Sequence, residues 1–148
     1  MEVWAASPQE TEAFGARLAA ALAPGLVIYL GGALGAGKTT LVRGGLRALG
    51  WAGSVKSPTY TLLESYEVAG KRLHHFDLYR LTDPAELEFI GLRDLLDGQA
   101  ILLVEWAERG AGLLPAADVT VEILFQDHGR RLRCDAGTEA GRRLLARL

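Results

Sequence analysis

Eight consecutive residues, Gly32-Ala33-Leu34-Gly35-Ala36-Gly37-Lys38-Thr39, follow the pattern G-x-x-x-x-G-K-[ST]. Residues of those types at that spacing suit phosphate binding. Glycines let successive backbone N–H groups converge on phosphate oxygens with no Cβ in the way. The lysine adds a mobile point charge for β- and γ-phosphates, and the hydroxyl beside it can reach Mg²⁺. Gly35, Ala36, Gly37, Lys38, Thr39 and Thr40 are therefore the candidate phosphate-binding residues. Phosphoryl chemistry also needs acids for the metal and the attacking water. Glu105 ends the apolar run Ile101-Leu102-Leu103-Val104, and Asp77 ends Leu73-His74-His75-Phe76. Both stand at strand ends, where open α/β sheets bind ligands.

Three further features belong to the same chemistry. Ser57-Pro58-Thr59-Tyr60 lies where many P-loop proteins keep a switch segment, with a Thr that meets Mg²⁺ and the γ-phosphate. Trp106 directly follows Glu105, which makes it a packing or partner-contact aromatic and a candidate reporter of bound nucleotide. Guanine recognition would normally need an N-K-x-D segment, and the chain has no Asn, so ATP is favoured by elimination. His74 and His75 fall on alternate faces of a strand and cannot chelate one metal from the same side; at least one of them packs.

The elements that must position these groups are also readable. Leu26–Leu30 is a wholly apolar run, the habit of a strand covered on both faces in a parallel sheet. The glycine loop follows it, and then a helix over Lys38–Leu49 with Gly50 as its C-terminal cap. An earlier helix begins at Ser7-Pro8-Gln9-Glu10, a capping box, and carries Phe14, Leu18 and Leu22 on one face until Pro24-Gly25 stops it. Tyr60–Val68 and Arg72–Leu78 read as a hairpin about Ala69-Gly70-Lys71. Asp83-Pro84-Ala85-Glu86 opens a short helix. Ala100–Val104 is another buried strand. Asp118–Phe125 and Arg130–Cys134 flank Asp127-His128-Gly129 as a second hairpin, and Thr138–Arg147 is a closing amphipathic helix. Parallel βαβ signals mixed with hairpins imply an α/β domain with a mixed sheet.

Composition sets the frame. The chain has 148 residues, 49% of them hydrophobic and 23% charged, which suits one globular domain spanning 1–148 rather than a disordered or fibrous chain. No apolar run approaches a membrane span, and no signal peptide is visible at the N-terminus. Cys134 is the only cysteine, so no intrachain disulfide can form and the cytoplasm is the natural compartment. From Arg130 to Leu148 six Arg face two acids, a local excess of about four positive charges against a net charge of -2 for the chain. That segment is either a solvated face or a docking patch, with Arg142 and Arg143 as candidates.

Taken together, the residues resemble the bacterial TsaE (YjeE) ATPases, which serve threonylcarbamoyladenosine modification of tRNA. The matching pieces are Gly35-Ala36-Gly37-Lys38-Thr39-Thr40, Ser57-Pro58-Thr59-Tyr60, His75-Phe76-Asp77-Leu78-Tyr79-Arg80-Leu81 and Val104-Glu105-Trp106-Ala107-Glu108, with Glu10-Thr11 before the first helix's apolar face. The resemblance implies a P-loop NTPase-like three-layer domain that binds ATP and Mg²⁺. Thr39 and Glu105 would hold the metal. Asp77 and Thr59 would support the γ-phosphate side or the attacking water, and Thr11 would lie near the adenine or ribose. It also implies two partners, TsaB and TsaD, whose cycle on tRNA the ATPase drives. The family commonly has an acid after the first glycines of the loop, where this chain has Ala33. Two other readings share the loop: a small P-loop metabolite kinase, and a non-catalytic nucleotide-sensing adaptor.

Overall fold

The computed structural model describes residues 1–148. In chain order the elements are β1 (Glu2–Ala5), α1 (Pro8–Ala21), β2 (Val27–Gly31), α2 (Lys38–Leu49), β3 (Leu63–Val68), β4 (Lys71–Asp77), α3 (Glu86–Phe89), α4 (Leu92–Leu95), β5 (Ile101–Glu105), β6 (Val119–Gln126), β7 (Gly129–Ala136) and α5 (Glu139–Leu145), with a 3-10 turn at Ala107–Gly110. The seven strands form one sheet in the order β1-β7-β6-β2-β5-β4-β3. The apolar strand β2 is central, with β5 and β6 as parallel neighbours. Hairpins β3–β4 and β6–β7, together with β1, supply the antiparallel pairs, so the sheet is mixed as expected.

Strand alternation sorts the two faces. Ile28, Leu30, Leu73, Ile101 and Leu103 join Phe14 and Leu18 of α1 and Leu41 and Leu46 of α2 in the larger core, which continues through Val121, Leu132, Cys134 and Leu144. Val27, Phe76, Leu102 and Val104 point the other way, into a smaller core with Leu78, Leu81, Leu87 and Leu92. The arrangement has three layers, but the third is thin, because α3 and α4 have 4 residues each. No helix is long and apolar enough to cross a membrane.

The two long helices meet through glycine. A Cβ at Gly15 would stand 2.0 Å from the Leu41 carbonyl oxygen, and one at Gly44 would stand 2.2 Å from that of Glu12. Glycine inside a helix costs about 1 kcal/mol relative to Ala, so its presence here reflects close backbone approach rather than helix propensity. The contact fixes α2, and with it the phosphate loop, against the start of α1.

Local signals explain most boundaries. Ser7 caps α1 by accepting from the Glu10 N–H at 3.3 Å, while the Glu10 carboxylate returns to the Ala6 N–H, one residue earlier than a standard capping box. Gly50 ends α2 in the left-handed region at φ 103°. The structure shifts other boundaries. β3 starts at Leu63, not Tyr60, because Leu62 sits at φ 66° and its N–H closes a turn onto the Pro58 carbonyl. The first hairpin turns on Ala69-Gly70 alone, and Lys71 already pairs with Val68. The closing helix stops at Leu145. Strand β1, which the sequence pattern did not announce, pairs antiparallel with β7.

Part of the arginine-rich segment is paired with acids of the chain. Arg133 meets Glu122 at 2.6 Å, and Arg142 meets Glu139 at 2.9 Å, with Arg143 at 3.9 Å from the same acid.

Two outcomes follow. Gly44→Val should destabilise the chain by about 1–3 kcal/mol, the usual range for overpacking, read as a lowered urea midpoint. The Cys134 thiol is 1% exposed and burial pushes its pKa from 9.0 up to about 11, so near pH 8 it holds about a hundredfold less thiolate than an unfolded chain. Native protein should resist a thiol-exchange reagent at pH 8 and react fully once unfolded in guanidinium; fast labelling of the native chain would contradict the packing of β7.

Candidate functional site

The phosphate loop leaves the C-terminal end of β2 and enters α2. Gly32, Gly35 and Gly37 hold φ of 137°, 78° and 119°, values that L side chains rarely adopt. Gly37 is the N-cap of α2 and offers no side-chain cap. The first N–H groups of the helix are thus left for an incoming anion, and the helix dipole favours negative charge there.

The sheet register brings the two acids to this loop. Asp77 of β4 pairs with Glu105 of β5, and Glu105 pairs with Leu30 at the end of β2. Both acids are buried, at 4% and 3% exposure. Each meets a threonine. Thr39 Oγ1 lies 3.5 Å from Glu105 Oε2, and Thr59 Oγ1 donates to Asp77 Oδ2 at 3.0 Å. The other Asp77 oxygen accepts the Tyr79 N–H at 3.0 Å, and the Ser57 and Thr59 hydroxyls are 2.7 Å apart. One cleft is lined by Gly35, Gly37, Lys38, Thr39, Thr40, Ser57, Thr59, Asp77, Glu105 and Trp106.

Lys38 is nearly buried. Its Nζ donates to the Gly32 carbonyl at 2.6 Å and sits 4.3 Å from the centre of the Trp106 ring. Burial lowers its pKa, while Glu105, Asp77 and Glu108 act in the opposite sense. Trp106 itself is in the left-handed region at φ 57°, a strained conformation for a large side chain that is held where the strand turns out of the sheet. Its ring also packs against Tyr79, at 5.1 Å between centroids.

A second cleft lies on the other side of the loop. Ala5 lines it from the end of β1, Ser7, Pro8 and Thr11 from the start of α1, Gly35–Gly37 from the loop, Thr40 from α2, and His128–Arg130 from the β6–β7 hairpin. Thr11 is buried there, at 3% exposure. Arg130 donates from Nε to the Ala36 carbonyl at 2.8 Å and lies over the Phe125 ring at 4.2 Å.

Every residue named from the sequence as catalytic, nucleotide-binding or metal-binding therefore lies on one of two clefts that share the phosphate loop, while the docking candidates Arg142 and Arg143 line neither. Three contributors were not singled out. Ser57 extends the Thr59–Asp77 pair, Arg130 braces the loop, and His75 bonds to Glu105 from within the core. For His75 a signal existed: it stands two residues before Asp77 on one strand, hence on the same face. No cluster of three or more His, Cys, Asp or Glu could hold a metal alone.

Comparison with known proteins gives a consistent picture. The family described as "Threonylcarbamoyl adenosine biosynthesis protein TsaE" matches residues 5–132. A Haemophilus influenzae protein named tRNA threonylcarbamoyladenosine biosynthesis protein TsaE is 52% identical over 121 residues, covering 82% of this chain and 77% of that protein. A Bacillus subtilis protein of the same name is 40% identical, covering 84% of each chain. The crystal structure of Bacillus subtilis YdiB superposes with a TM-score of 0.84 at 31% identity, covering 99% of this chain and 91% of that one.

Lys38→Ala should weaken ATP binding roughly ten- to a hundredfold, since a hydrogen bond to a charged group contributes about 1.5–3 kcal/mol. Isothermal calorimetry checks this, and an unchanged Kd would contradict the assignment of the loop.

Proposed function

The chain belongs to the TsaE family of threonylcarbamoyl adenosine biosynthesis proteins, and from that premise we propose that it binds and hydrolyses ATP with Mg²⁺ in the cytoplasm to drive tRNA threonylcarbamoyladenosine modification, together with TsaB and TsaD. Contact with tRNA is through those partners. The observation that carries the reading is the convergence of two threonine–acid pairs, Thr39–Glu105 and Thr59–Asp77, on the N-terminus of α2.

In this reading each side chain has a task. The loop N–H groups from Gly35 to Thr40 cradle the phosphates, and Lys38 leaves the Gly32 carbonyl to meet the β- and γ-oxygens. Thr11 and the second cleft take the nucleoside. Thr39 and Glu105 fit Mg²⁺ as hydroxyl and carboxylate oxygen donors. The metal, when bound, neutralises charge that develops on the transferring phosphoryl group. Asp77, fixed by the Tyr79 N–H, orients the Thr59 hydroxyl toward the γ-phosphate side, and either acid can position the attacking water. Trp106, over Lys38, reports the departure of the lysine when nucleotide enters.

Glu105→Ala tests the reading and separates it from an adaptor that only senses nucleotide. ATP binding without Mg²⁺ should persist and the gain on adding Mg²⁺ should shrink, while turnover in the presence of TsaB and TsaD should fall about 10²- to 10³-fold, the range for loss of one preorganised electrostatic contact. Threonylcarbamoyladenosine in tRNA should be lost from a deletion strain carrying the variant. Full modification with a hydrolysis-dead chain would favour the adaptor, and transfer of labelled γ-phosphate to a metabolite, with normal tRNA modification in the deletion strain, would favour a kinase.

A further inference from the structure

His75 is fully buried at 0% exposure, and the proposed chemistry leaves it without a task. Its strand partner on β5 is Leu103, and Leu73 precedes it on the same face, so its surroundings on that face are core. A leucine would fill such a position with no polar group to satisfy. The imidazole instead places Nε2 2.6 Å from Glu105 Oε2. Its Nδ1 is buried and has no hydrogen-bond partner. A proton there would be an unsatisfied donor, whereas a bare ring nitrogen costs less. The ring therefore carries its proton on Nε2 and donates it to the carboxylate.

That bond divides the two oxygens of Glu105. Oε2 is held by His75 from below and has the Thr39 hydroxyl at 3.5 Å from α2. Oε1 accepts no bond from the chain and is left for the cleft that Glu105 lines. We propose that His75 is a positioning residue, whose Nε2–H fixes the Glu105 carboxylate so that Oε1 is presented to the magnesium-bound nucleotide. Outer partners of this kind orient metal-ligating groups, and their loss commonly weakens metal affinity about 10- to 100-fold. The inference rests on the reading of Glu105 as a Mg²⁺-side acid.

The test compares wild type, His75→Leu and His75→Gln. Affinity for a non-hydrolysable ATP analogue is measured by calorimetry in EDTA and in Mg²⁺, with thermal unfolding as a control. Expected is an EDTA affinity within about twofold in all three, a gain on adding Mg²⁺ that shrinks at least about tenfold in the Leu variant, and recovery of most of that gain in the Gln variant, whose amide N–H can reach Oε2. Equal losses in EDTA and in Mg²⁺ would mark a purely structural residue and overturn the proposal. So would an intact Mg²⁺ gain in the Leu variant, or a folded Gln variant as impaired as Leu. Long-range ¹H–¹⁵N NMR of the unliganded wild-type chain gives a readout that needs no variant to fold. The Nε2–H tautomer of His75 is expected, and the Nδ1–H tautomer would overturn the assignment. If wild type itself gains nothing from Mg²⁺, the reading of the site fails and this inference with it; if wild type gains and the Leu variant gains equally, only the inference fails.

Discussion

The site depends on one constraint, the parallel register of β2, β5 and β4. Leu30, Glu105 and Asp77 stand at one level of the sheet because their strands pair there. The glycine loop leaves β2 one residue past that level, so the N-terminus of α2 opens directly over the two acids. Alternation then does the rest. Leu73, His75 and Asp77 share a face on β4, as do Ile101, Leu103 and Glu105 on β5. A slip of one residue in either strand would send its acid into the smaller core and expose its apolar set to the other face. The hydrophobic pattern that holds the larger core together therefore also fixes where the acids lie.

The same constraint creates an electrostatic problem. Two buried carboxylates stand on neighbouring strands, and Glu108 adds a third negative field at Lys38. Lys38 is the one buried cation among them. Burial opposes its charge while those acids favour it, and its ammonium rests on a carbonyl oxygen and an aromatic face. Like charges so placed are costly in a medium of low dielectric unless a cation or hydrogen bonds offset them. Thr39, Thr59 and the Tyr79 N–H supply hydrogen bonds. A residual demand for positive charge is left in the cleft, and it is consistent with the proposed Mg²⁺.

Much of this was legible in the sequence, for identifiable reasons. The loop, α2, the capping of α1 and the strands carrying Asp77 and Glu105 are local signals: a fixed spacing, a cap, an apolar run. What escaped notice depends on contacts distant in sequence. β1 is four residues long and becomes a strand only because β7 is beside it. Nothing local marks Gly15 and Gly44; the need for glycine there comes only from α1 lying against α2. His75 could be assigned to a face but not to Glu105, thirty residues away, before the β4–β5 pairing was known. The partner of Arg133 in the arginine-rich segment was hidden in the same way, since Glu122 meets it across the β6–β7 register.

Arg130 shows how a distant element serves the loop. A phosphate loop works only if its N–H groups, and not its carbonyls, meet the anion. Here four of the loop's carbonyls are occupied within the chain. Gly32 accepts from Lys38, Ala33 from the Ala36 N–H, Ala36 from Arg130 and Gly37 from the Leu41 N–H. Of these, only the Arg130 bond reaches in from another part of the fold, 94 residues along the chain. It comes from the antiparallel half of the sheet, whose hairpin also lines the second cleft beside the loop, the one proposed for the nucleoside. The parallel half places the acids, and the antiparallel half fixes the polarity of the loop that faces them. Binding a nucleoside against the hairpin would thus bear directly on the conformation that receives its phosphates.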